Sequence, residues 1–164
     1  MPSIRPRPAR LTLAAGASVL AAGAALAAYG FAHTDADAGI RPARFSGAPH
    51  CHRIADSAPA SLGGLSRRDS SLPGIAVWGD RDIVLRCGVI PPGVTGDPCF
   101  AVDGVDWVMD LAQSTDTRKV IVTYGRNPAT QVVFDGSSRT DAALIDLSRT
   151  VASVKQTSHC IKRD

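Results

Sequence analysis

Twenty-two consecutive residues without a charge, Leu11 to Ala32, constrain this chain more than any other feature. As a helix they would rise about 33 Å at ~1.5 Å per residue, enough for a hydrocarbon layer about 30 Å thick. Arg5, Arg7 and Arg10 precede the run, and Asp35 and Asp37 follow it. The positive-inside rule then predicts a cytoplasmic N-terminus, with everything after the run on the far side. The run reads either as an uncleaved signal anchor or as a signal peptide. The second reading needs a small-x-small cleavage site, such as Ala25-Leu26-Ala27 or Ala36-Asp37-Ala38. The apolar stretch is longer than the usual signal-peptide core of about 7–15 residues, which favours the anchor. Four segments follow from this: a cytoplasmic basic tip over 1–10, a transmembrane signal anchor or signal peptide over 11–32, a linker over 33–49 and an extracytoplasmic domain over 50–164.

Charge adds an exclusion. The chain holds 15 Arg, 3 Lys and 15 Asp, and no Glu. Three of the Arg belong to the tip, so the remaining basic residues balance the Asp. A formally neutral domain lacks the basic footprint of a nucleic-acid binder. The expected membrane association runs through the N-terminal helix alone.

The four cysteines, Cys51, Cys87, Cys99 and Cys160, all follow the apolar run. An even number in a small exported domain implies two disulfides, with three pairings open. Cys87–Cys99 would close a short loop around Pro91-Pro92-Gly93, and Cys51–Cys160 would tie the C-terminal tail to the start of the domain. In the chain-entropy model these loops contribute about 3 and nearly 5 kcal/mol. This pairing is the expected one. His50, His52 and His159 flank the terminal cysteines. If Cys51 and Cys160 met in reduced form, the cluster could ligate zinc or copper. Export favours oxidation, and the spacings fit no standard zinc motif, so the expectation is no metal and no cofactor.

Local patterns predict the fold. Cys51 to about Leu65 reads as a short helix, interrupted near Pro59, followed by a polar loop over 66–71. Ile75–Trp78, Ile83–Cys87, Val120–Tyr124 and Thr130–Phe134 read as strands, with Gly79–Asp82 and Gly125–Pro128 as turns. Phe100 to Met109 is apolar around Asp103-Gly104, which marks a hairpin turn or bulge. Ser138 or Thr140 can cap a last helix whose Ala143, Leu144, Leu147, Val151 and Val154 form one apolar stripe. The sum is an α+β fold: a small antiparallel sheet of about five strands with helices on one face, preceded by the N-terminal helix.

Trp78-Gly79-Asp80, Val84–Val89, Val105-Asp106-Trp107 and Tyr124–Pro128 together resemble an actinobacterial exported-protein family catalogued as domain of unknown function three-five-one-five. The resemblance runs from about Cys51 to Cys160. It implies an N-terminal apolar segment and an exported domain, and it implies no activity, substrate or cofactor.

Chemistry is thinly marked. No nucleophile elbow or phosphate-binding glycine loop occurs. Asp103 with Asp106, or Asp80 with Asp82, could do acid/base work, although aspartates at turns commonly serve the local backbone. Arg86 and Arg126 each end an apolar strand near a glycine, and two guanidiniums there could hold a carboxylate or phosphate. Trp78, Trp107 and Tyr124 could supply a stacking wall, or these aromatics could be core and the Arg pair with Asp106 or Asp80. The expected function is a membrane-anchored or secreted cell-envelope protein that binds an envelope protein or an anionic cell-wall ligand without catalysis. The alternative is a small envelope hydrolase using Asp103 and Asp106.

Overall fold

A computed structural model of the chain describes residues 36–136 and 140–161. The Leu11–Ala32 run, the Arg tip and Ser138 lie outside the described residues. No helix among the described residues is long and apolar enough to cross a membrane.

The described chain is α+β. Helix α1 (Pro49–Asp56) is followed by strands β1 (Ser61–Leu62), β2 (Leu65–Arg68), β3 (Ile75–Trp78), β4 (Ile83–Val89), β5 (Cys99–Val102), β6 (Val105–Met109), β7 (Arg118–Thr123) and β8 (Ala129–Asp135), then helix α2 (Thr140–Val151). The strands form one antiparallel sheet in the order β1-β2-β3-β4-β8-β7-β6-β5. Two four-strand meanders therefore meet at β4 and β8, and the segment between β4 and β5 crosses to the far edge.

The sheet has eight strands rather than about five. The expected helix over 51–65 stops at Asp56, and the first part of the expected polar loop, to Arg68, belongs to strand β2. Arg67 explains why a polar sequence sits in a strand there. Its backbone pairs opposite Trp78, and its guanidinium donates to Ala55 O at 2.7 Å and Ala58 O at 2.8 Å. Ala55 O lies in the last turn of α1 and Ala58 O just beyond it, where carbonyls lack the full set of helical partners and a cation is well placed.

One face of the sheet carries the main core. Trp78, Leu85, Trp107, Ile121, Val132 and Phe134 meet Ile54 of α1 and Leu144, Leu147 and Val151 of α2. Both helices thus lie on that face. Pro49 opens α1, where its missing N–H costs nothing, and Cys51, Ile54 and Ala55 form its buried stripe. The opposite face has a smaller cluster of Ile75, Val77, Val84, Val120 and Val133, with Ile40 and Leu72 packed on it.

Residues 36–48, read from sequence within a linker, are in contact with the domain. Asp37 accepts from Ser70 Oγ at 2.6 Å, and from Ser71 N at 3.0 Å and Ser71 Oγ at 2.8 Å. Burial alone would raise the Asp37 carboxyl. These hydrogen bonds reverse that and hold it below its ordinary value. Phe45 N donates to Gly88 O at 3.0 Å. Gly88 has φ +97°, and a Cβ there would lie 2.4 Å from the Phe45 backbone, so glycine alone lets the segment pass.

The disulfides are Cys51–Cys87 and Cys99–Cys160, with Cα separations of 5.2 and 5.6 Å. The expected pairs Cys87–Cys99 and Cys51–Cys160 do not form. Cys87 is on β4 beneath α1, whereas Cys99 opens the edge strand β5, four strand steps away. At about 4.8 Å per step that is roughly 19 Å, far beyond the 4.4–6.8 Å a disulfide spans. The two also face opposite sides of the sheet.

Candidate functional site

A cleft lies where the C-terminal tail crosses the open end of the sheet. It encloses about 820 Å³, within the range of ligand sites of about 300–1,000 Å³. Its floor comes from β5, β6 and the end of β7, through Cys99, Ala101, Asp106, Val108 and Tyr124. These residues share the sheet face opposite the helices, because side chains alternate along each strand. The 94–98 loop supplies one wall, and His159, Cys160 and Ile161 of the tail supply another. Val94 and Ile161, at 95% and 85% exposure, are large apolar side chains offered to solvent at the rim.

Asp106 organises the tail. It is 7% exposed, and its Oδ2 accepts from Gln156 Nε2 and from Cys160 N, both at 2.8 Å. His159 Nδ1 stands 3.2 Å from the same oxygen and 2.8 Å from Gln156 Nε2, so its tautomer decides which contact it makes. No described hydrogen bond uses Asp106 Oδ1. Thr157 N donates to Gly125 O at 2.7 Å. A Cβ on Gly125, which has φ +69°, would lie 2.0 Å from Ser158 O, so the turn before Arg126 must be glycine for the tail to pass. The Cys99–Cys160 bond then fastens the tail to β5.

The residues expected to form a site are dispersed. Trp78 and Trp107 are fully buried on the helix face, where their Nε1 atoms donate to Pro59 O at 2.8 Å and Ser148 Oγ at 3.0 Å. They are core and line no cleft. Arg126 is 5% exposed, and its guanidinium donates to Ala152 O and Val154 O, tying down the segment after α2. Burial draws Arg126 below its ordinary value, and the charge of Asp106 partly restores it. Arg86 lies on β4, half-buried and apart from Arg126, with its Nε unpartnered. Burial, and then the charge of Arg118, lowers Arg86 as well. The glycines expected to admit a ligand beside these arginines, Gly88 and Gly125, admit the chain's own backbone instead. Tyr124 and Asp106 do meet at the cleft.

The two carboxylate pairs separate. Asp103 occupies the β5–β6 turn, where φ of 48° and then 76° at Gly104 define a type I′ hairpin. Its carboxylate pairs with Arg149 of α2 at 3.1 Å, whereas Asp106 faces the cleft. Asp82 Oδ2 accepts from Asp80 N at 2.8 Å within its turn. All four cysteines are oxidised, and the meeting of Cys51 with Cys160 that would gather His50, His52 and His159 does not occur. His50 lies beside Arg53 on α1, at 2.6 Å from its guanidinium. His159, read from sequence as a neighbour of Cys160 and a candidate metal ligand with His50 and His52, is the histidine at the cleft. Its pairing with Asp106 spans 53 residues and leaves no local signal.

Fold and cleft together define a disulfide-stapled α+β domain with an open site beneath its C-terminal tail. The chain belongs to the family described as Protein of unknown function (DUF3515), whose model matches residues 10–160. No curated protein and no solved structure matches it.

Proposed function

We propose that this chain is a cell-envelope binding module, held at the outer side of the membrane by an N-terminal anchor or secreted after its cleavage. It engages another envelope protein without catalysis. The cleft beside β5 carries this reading. It combines a ligand-sized volume, exposed apolar side chains at Val94 and Ile161, and polar groups at Tyr124, Asp106 and His159 that can fix orientation. Two disulfides suit an oxidising compartment, and the Arg tip before an uncharged run suits export.

The carboxylates of the cleft are Asp97 and Asp106, and no Lys or Arg lines it. This supports a protein partner over an anionic cell-wall ligand at this place. The hydrolase reading with Asp103 and Asp106 gains no support, since one carboxylate is engaged by Arg149 and the two lie in different surroundings.

The test is photocrosslinking in intact cells, with benzoylphenylalanine in place of Tyr124 and, as control, in place of exposed Ile145 on α2. A discrete adduct with an extracytoplasmic protein from Tyr124 alone is expected. An adduct with a cytoplasmic protein, or equal labelling from both positions, contradicts the proposal.

A further inference from the structure

We infer that the cleft recruits its partner by strand addition: an extended peptide carrying basic side chains pairs with the free edge of β5 through Cys99 and Ala101. This rests on the cleft being the binding site, and it goes further by naming the ligand.

The register makes the argument. Cys99 lies opposite Val108, Phe100 opposite Trp107, Ala101 opposite Asp106 and Val102 opposite Val105, while Met109 N donates to Pro98 O at 2.9 Å. In an antiparallel pair, hydrogen-bonded and non-hydrogen-bonded positions alternate. Pro98, Phe100 and Val102 therefore bond inward to β6. Cys99 and Ala101 turn their N–H and C=O groups outward. β5 is the last strand of the sheet, and no described hydrogen bond uses those four groups. Natural edges are blunted by Lys, by internal Pro or by a covering segment. Cys99–Val102 carries neither Lys nor Pro, and the described tail makes no hydrogen bond to the outward groups of Cys99 and Ala101.

Side chains and charge identify the occupant. The side chains of Cys99 and Ala101 lie on the cleft face, so alternate side chains of an added strand fall on that face too. There they meet Val94 and Ile161, then Asp97 and the free Oδ1 of Asp106. An apolar stem with a cationic head, as in Lys or Arg, fits both parts. An acidic peptide would meet two carboxylates and no cation.

The experiment uses the full chain, oxidised, with the capped peptide Val-Lys-Val-Lys-Val and its Glu-for-Lys counterpart. Amide exchange is followed at single residues. Saturating Lys peptide should slow exchange at Cys99 and Ala101 by about tenfold or more. Ala101→Pro removes an N–H that serves no bond of the fold, so the sheet should persist while affinity falls about tenfold or more. Asp97→Lys should weaken the Lys peptide and leave the fold intact.

Shifts at Tyr124 and His159 without protection at Cys99 and Ala101 would overturn strand addition and leave the binding role standing. Protection that grows with protein concentration in the absence of peptide would assign the edge to a second copy and overturn the proposal. Equal binding of the Glu peptide would overturn the assigned ligand class. No response anywhere in the cleft would contradict the binding role itself.

Discussion

The centre of the sheet and its β5 edge are closed differently. At the centre, beside β3 and β4, the staple is Cys51–Cys87, both residues 0% exposed and part of the main core. The preceding segment also packs there, threading past Gly88 and fixed by Asp37. At the β5–β6 end, the staple is Cys99–Cys160, whose residues are only partly buried and line a cleft. Both regions use a glycine to admit the chain's own backbone and a hydrogen-bonded carboxylate to hold it. The difference lies in what remains uncovered. The first region is filled with side chains of the main core. The second leaves an open volume, a strand edge whose Cys99 and Ala101 backbone groups make no described hydrogen bond, and two exposed apolar residues.

Removing the staples should break this comparison most strongly. The bonds close sequence separations of 36 and 61 residues. Chain entropy assigns about 4 kcal/mol to each. Cys51→Ala with Cys87→Ala also leaves a cavity in the core, adding about 1–2 kcal/mol, and should unfold the domain cooperatively. Cys99→Ala with Cys160→Ala should release the tail and open the cleft while the β3–β4–β8 centre persists. Denaturant unfolding with residue-resolved amide exchange separates the two outcomes.

The glycines come next. Gly88→Ala and Gly125→Ala each combine a positive φ with a backbone clash, and each should cost about 3 kcal/mol. Exchange should rise around Phe45 and Ser46 in the first variant and around Thr157 and Ser158 in the second. Asp106→Asn keeps the shape and removes the charge behind the hydrogen bonds from Gln156 and Cys160. A loss of about 1–2 kcal/mol is expected, with faster exchange at the Cys160 amide.

Acid gives the smallest effect. The folded-state value of Asp37 is depressed, so its contribution is present above the unfolded value of about 3.9 and is lost as pH falls through the lower folded value. Asp37 is too open to solvent for a large effect on global stability. Exchange at Ser71 should therefore rise below about pH 4 in the wild type and not in Asp37→Asn.

The sequence was legible where structure is local. The β-branched runs of β4, β7 and β8, the Asp103-Gly104 hairpin and the stripe of α2 each carry their own pattern within a dozen residues. β1 and β2 were not legible. One is two residues long, and the other is polar because Arg67 serves the end of α1. The disulfide pairing depended on strand order: the 90–98 segment resembles a tight connection and instead crosses three strands to reach the far edge. The cleft depended on the same order, through Asp106 meeting His159 and Cys160. Only Tyr124 and Asp106 of the expected binding residues reach it, since the tryptophans satisfied the core and Arg126 the tail.

The central claim, a staple buried in the core at β4 and a more exposed one at the β5 edge, is tested most directly by graded reduction under native conditions. The protein is treated with increasing phosphine reductant, alkylated and peptide-mapped. Cys99 and Cys160 should be labelled first and together, with the Cys51–Cys87 peptide intact until the sheet unfolds. A linked Cys87–Cys99 or Cys51–Cys160 peptide, or simultaneous opening of both bonds, would contradict it.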